Sequence, residues 1–148
     1  MRIYLLLFIT IATVLSCNKT PKPVIHLSED QEMKKYEKYD KSQLGKIQLN
    51  SFYDVDTIRS SVVKIDVPVY NSGTKTINDL FLKTTCDCTG VHDYKKTLLP
   101  GQKDTLKLSI DLSKERGYFS KKVILYGTFY PYKRVIEVIG YRSKPMKK

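Results

Sequence analysis

Val63-Lys64-Ile65-Asp66-Val67-Pro68-Val69 decides the fold. Four β-branched residues recur at every second position, with a lysine, an aspartate and a proline between them. In an extended chain that spacing puts the valines and the isoleucine on one face and the polar side chains on the other. The alternation returns downstream. Leu106, Leu108, Ile110 and Leu112 alternate with Lys107, Ser109 and Asp111, and Leu80, Leu82 and Thr84 alternate with Phe81 and Lys83. Val123, Leu125 and Gly127 mark another strand, and a last one runs around Val135 to Tyr141. One apolar face and one polar face describe sheets packed against a single core. Pro68 removes a backbone donor, so its strand is expected at an edge or with a bulge.

Turn residues separate these strands: Asn71-Ser72-Gly73, Pro100-Gly101, Arg116-Gly117 and Tyr130-Pro131. Period two begins at Ile47, and no helical pattern interrupts it. The sequence therefore predicts an all-β fold, an immunoglobulin-like β-sandwich of about seven strands over residues 46–142. An antibody-type domain is excluded, because the chain has no Trp and no widely spaced cysteine pair. A basic tail, 143–148, closes the chain and is expected to fray.

Upstream of the sandwich the pattern is different. Arg2, an apolar run from Ile3 to Leu15 and then Ser16 describe a secretory signal over residues 1–16. The run is too short to span a bilayer, which takes about 20 apolar residues. Val14-Leu15-Ser16-Cys17 has the form of a lipobox, after which the cysteine is acylated and becomes the first residue of the mature chain. Cys17 is thus the expected lipidation site, carrying palmitate-type chains. The expected location is the bacterial cell envelope, at the outer membrane and facing the periplasm. The covalent lipid is the only non-protein group expected, and no cofactor is implied.

Residues 17–45 read as a lipidated N-terminus, a spacer around Pro21-Lys22-Pro23 and a short helix. Ser28 and Gln31 form a capping box, and Lys34, Lys35, Lys38 and Lys41 suit the far end of the dipole. Gly45 is the expected stop. The apolar face is thin, with Met33, Tyr36 and Leu44, so the helix is expected to pack lightly or act as a stalk.

The 148 residues carry a formal charge of +11, and only Arg2 of that excess lies in the signal. A basic surface would be drawn to anionic headgroups or glycans. Nucleic acid is not an expected partner for an exported chain. The expected partners are the membrane, through the lipid, and an envelope protein or glycan.

Several elements occur together in order: Asn71-Ser72-Gly73, Thr85-Cys86-Asp87-Cys88-Thr89, Leu99-Pro100-Gly101, Arg116-Gly117-Tyr118-Phe119 and Ile139-Gly140. This series resembles the bacterial family catalogued as domain of unknown function 1573, over about Gly45 to Tyr141. The resemblance implies an immunoglobulin-like fold related to domains of some ciliary and centrosomal proteins, and a lipoprotein of the Bacteroidetes type. It implies no established activity. The chain departs from the family pattern at Asp87, where the family usually has Gly.

Cys86 and Cys88 share a strand face by parity, on the side of Leu82 and Thr84. They read in three ways. They can be small hydrophobes at a strand end, which the sequence favours. They can be a strained disulfide across two residues, although Asp87 lacks the freedom of Gly and disfavours the thiolates. With His92 they can be soft metal ligands for Cu(I) or Zn, but a fourth ligand is missing. Phe129, Tyr130 and Tyr132 fall in the turn between the last two strands and could form an aromatic binding tip.

No Gly-x-Ser-x-Gly, Walker loop or His-Glu-x-x-His occurs, so the sequence predicts no enzyme. Its functional expectation is a lipid-anchored envelope protein with a non-catalytic binding or scaffolding domain. The alternative is a periplasmic thiol-redox or metal-handling protein working through Cys86 and Cys88.

Overall fold

The structure is a computed structural model that describes residues 29–143. The signal, Cys17, the proline spacer, the Ser28 cap and the tail 144–148 lie outside the described residues. Among the described residues eight strands form, against the seven or so read from the sequence: β1 (Ile47–Leu49), β2 (Phe52–Ile58), β3 (Val62–Asn71), β4 (Phe81–Thr84), β5 (Thr89–His92), β6 (Lys103–Asp111), β7 (Gly117–Tyr126) and β8 (Lys133–Arg142). They make two four-stranded sheets, ordered β1-β3-β6-β5 and β2-β8-β7-β4.

The β3 pattern works as its spacing dictates. Val63, Ile65, Val67 and Val69 are buried, while Lys64, Asp66 and Pro68 are exposed. Register pairs Ile65 with Leu108 and Val67 with Leu106, so two apolar rows lie side by side on the inner face. The facing sheet supplies Phe119, Val123, Leu125, Ile136 and Val138 to the same core. Pro68 is one residue beyond the last β1 pair, Leu49 with Val69. β3 is therefore open on that side from Pro68 back to Val62, where a missing N–H costs no ladder bond.

The chain changes sheets between β1 and β2. β1 runs antiparallel to β3, whereas β2 pairs in parallel with β8. Arg142 fixes that second pairing. Its guanidinium is buried and donates to the carbonyls of Ile58, Arg59 and Ser143.

The turn motifs prove to be structural. Asn71 is fully buried, and its Nδ2 donates to the carbonyls of Lys75 and Leu98, each at 2.9 Å. Its Oδ1 accepts from Gly73 N–H at 3.1 Å, which closes an Asx turn. A Cβ on Gly73 would stand 2.7 Å from the Lys46 backbone nitrogen, so only glycine lets the two segments approach. Gly101 turns the chain at φ +75° and donates its N–H to the Asn71 carbonyl.

The N-terminal helix, α1 (Glu29–Glu37), ends well before Gly45, and a 3-10 turn at Lys41–Gln43 follows it. Asp40 caps that turn through a capping box with Gln43. α1 is also not a light contact. Tyr36 is 1% exposed, packs on Ile124 and Tyr126, and donates its hydroxyl to the Asp79 carbonyl at 3.0 Å. Ile124 and Tyr126 are outward-facing β7 residues, so α1 covers one end of the second sheet's outer face.

Candidate functional sites

Two features stand apart from the packing: the cysteine turn and the uncovered part of the second sheet's outer face.

β4 ends at Thr84, so Cys86-Asp87-Cys88 is not the continuation of a strand. It is the turn that carries the chain from β4 in one sheet to β5 in the other. The two cysteines are joined in a disulfide, with Cα atoms 5.2 Å apart. The expectation of two space-filling thiols is therefore corrected. A tight turn already brings the sulfurs together, and Asp87 sits at its exposed apex, where a carboxylate stays solvated. Both cysteines are half-buried and belong to no part of the core.

The turn lines an open cleft of about 390 Å³ together with Asp111, Lys114, Glu115 and Lys121. Lys121 pairs with Glu115. Asp111 accepts from the Ser113 backbone N–H, which, with the Ser113 hydroxyl, holds its carboxyl below the usual range. Thr89 is buried behind the disulfide, with its hydroxyl 3.4 Å from Cys86 Sγ and 3.9 Å from Cys88 Sγ.

His92 is exposed at the end of β5, opposite Lys107. Among the described residues no three His, Cys, Asp or Glu side chains stand together as a metal-binding group. The structure thus does not join His92 to the cysteine pair.

The aromatic turn divides. Phe129 is fully buried in the main core, so it forms no part of a binding tip. Its backbone bridges Gly45, and the hairpin folds it inward. Tyr132 is half-buried against the Tyr36 cluster. Tyr130 alone remains exposed, with the Lys41 ammonium 5.1 Å from its ring centre.

Beyond α1, the outer face of β2, β8 and β7 carries apolar side chains that the sequence reading did not single out. Tyr118 lies opposite Tyr141, and the two are 66% and 52% exposed. Phe52 is 50% exposed and lies opposite Glu137, while Ile139 pairs with Ser120. The centre is polar, since Ser120 donates to Glu137 at 2.7 Å and Lys122 stands 3.9 Å from the same carboxylate. The signal was in the parity. Tyr118 and Tyr141 occupy outward positions where a solvated sheet face ordinarily places lysine, serine or threonine.

The fold and these surfaces define a small two-sheet module of immunoglobulin-like type. The chain belongs to the family described as protein of unknown function (DUF1573), whose model matches residues 47–141. No curated protein matches it. Among solved structures it is similar to a protein of unknown function from Porphyromonas gingivalis W83, with TM-score 0.63, 14% identity and coverage of 72% of this chain and 50% of that one. It is similar to the ASH/PapD-like domain 7 of human CEP192, with TM-score 0.56, 11% identity and coverage of 83% and 97%. It is also similar to the secreted serine protease VesC from Vibrio cholerae, with TM-score 0.55, 15% identity and coverage of 70% and 24%. These likenesses show the fold alone. The chain spans half the length of the Porphyromonas protein.

Proposed function

We propose that this protein is a lipoprotein held in the bacterial outer membrane through acylated Cys17, and that its sandwich is a non-catalytic module binding an envelope protein or glycan. The observation that carries the reading is the exposed aromatic face of the second sheet. Phe52, Tyr118, Ile139 and Tyr141 border a polar centre of Ser120, Lys122 and Glu137. Tyrosine suits such a surface because it brings a large, rigid contact area with a polar tip. Clustered apolar side chains on a solvent face mark interaction sites, whereas scattered single ones do not.

Placement supports the same reading. α1, nearest the proposed anchor in sequence, docks at the Tyr126 end of β7. Tyr118 is eight residues away along the same strand, roughly 25 Å at about 3.3 Å per residue. The Tyr118–Tyr141 pair thus lies at the far end of β7 from α1. The Tyr118→Ser/Tyr141→Ser variant should fold, stay membrane-bound and lose its envelope partner. Cys17→Ala should lose palmitate incorporation and leave the membrane fraction. An unmodified wild-type N-terminus, or full partner retention by the double variant, would refute the reading.

A further inference from the structure

We propose that Cys86 and Cys88 form a reducible disulfide that exchanges with an external thiol through the cleft beside the β6–β7 connection. The proposal is independent of the binding function. A bridge between residues two apart closes so short a loop that it removes little entropy from the unfolded chain, which makes it a poor staple. The turn is held without it. Thr89 N–H donates to the Cys86 carbonyl at 3.3 Å, Asp111 N–H to the Cys88 carbonyl at 2.7 Å, and Thr85 N–H to the Lys122 carbonyl at 3.2 Å. The two half-buried cysteines lie outside the core cluster and line an open cleft, the side from which a thiol would approach the bond. Small-ring and accessible disulfides are the labile ones.

Thr89 assigns the two sulfurs different roles. A disulfide sulfur carries no hydrogen, so the Thr89 hydroxyl is the donor, and it stands closer to Cys86 Sγ than to Cys88 Sγ. Hydrogen bonding to a thiolate stabilises it, which makes Cys86 the better leaving group. A thiolate RS⁻ attacks Cys88 Sγ. The RS–SCys88 bond forms as the Cys86–Cys88 bond breaks, and the electron pair leaves on Cys86 Sγ, which takes up a proton. A second RS⁻ attacks the outer sulfur of the mixed disulfide. RSSR departs, and the Cys88 thiolate is protonated. Two small thiols are thereby oxidised to one disulfide while the protein's disulfide becomes two thiols. Thr89 is a positioning residue in this scheme.

The test uses the full-length lipidated protein in detergent with millimolar glutathione and no denaturant, followed by alkylation and tryptic mass mapping. Lys83 and Lys95 bound a peptide, Thr84–Lys95, that contains both cysteines and excludes Cys17. The expected result is double alkylation of that peptide, with the β-sheet circular dichroism unchanged. Thr89→Val, which keeps the shape and removes the donor, should open about fivefold to tenfold more slowly, the effect of losing one hydrogen bond to the leaving sulfur. A peptide that stays bridged until denaturant is added, or a protein that unfolds on reduction, would overturn the proposal. An unchanged opening rate in Thr89→Val would overturn the assignment of Cys86 as the leaving sulfur.

Discussion

Replacing Asn71 with alanine removes three hydrogen bonds from a fully buried position: Nδ2 to the Lys75 and Leu98 carbonyls and Gly73 N–H to Oδ1. Each is worth about 1 kcal/mol net, so the expected loss is about 3 kcal/mol. The estimate does not climb further because the Leu98 carbonyl keeps its bond from Ile77 N–H at 2.9 Å and is not left bare. Asn71→Asp makes a sharper arm of the test. A carboxylate there would face two carbonyl oxygens in a dry site, so its folded-state pKa must rise above the unfolded value near 3.9. The folded state then binds more protons, and stability falls as pH rises through that interval. Urea denaturation at pH 7 and pH 4 reads both effects. Asn71→Ala should lower the midpoint at both pH values by similar amounts, and Asn71→Asp should be worst at pH 7. A loss below about 1 kcal/mol for Asn71→Ala, or an Asp variant insensitive to pH, would refute the view that this family motif is a scaffold element.

Two further outcomes follow from the same structure. Tyr36→Ala should cost about 3 kcal/mol, in the range for deleting a buried aromatic, and should raise hydrogen exchange throughout α1; a stalk-like helix would lose almost nothing. Asp40, held low by the Ser42 hydroxyl and backbone N–H, and Asp111, held low by the Ser113 backbone N–H and hydroxyl, have depressed folded-state values. Their contribution is complete above the ordinary carboxylate range near pH 4 and is lost as pH falls through the lowered values. Asp40→Asn and Asp111→Asn should accordingly flatten the acid limb of a thermal-melting profile.

The β3 and β6 strands were legible because strict alternation has one reading when one face must be dry. β1 and β2 were not separated, because three residues of Ile47–Leu49 carry too little pattern to show that the chain then changes sheets. The reach of α1 is hidden in the sequence for a related reason. A single tyrosine makes a thin stripe on a helix, but the depth of its pocket depends on Ile124 and Tyr126, nearly ninety residues on. Parity misplaced the cysteines because it assumes that the strand continues, and β4 stops at Thr84. Once the chain turns, proximity is set by the turn and not by period two, so the bridge forms with Asp87 at its apex. Sequence places Phe129 at the tip because a turn between strands is usually solvated; here the hairpin folds back and its first aromatic fills the core.

The central claim is that the sandwich meets its partner with the outer face of the second sheet. Site-specific photo-crosslinking in the intact envelope tests it most directly, with the probe at Tyr118 or Tyr141 and, on the opposite sheet, at Lys64 or Lys107. Tyr118 and Tyr141 should each give a discrete adduct, and the two lysine positions none. Adducts from Lys64 and Lys107 alone, or no adduct from the tyrosine face, would contradict it.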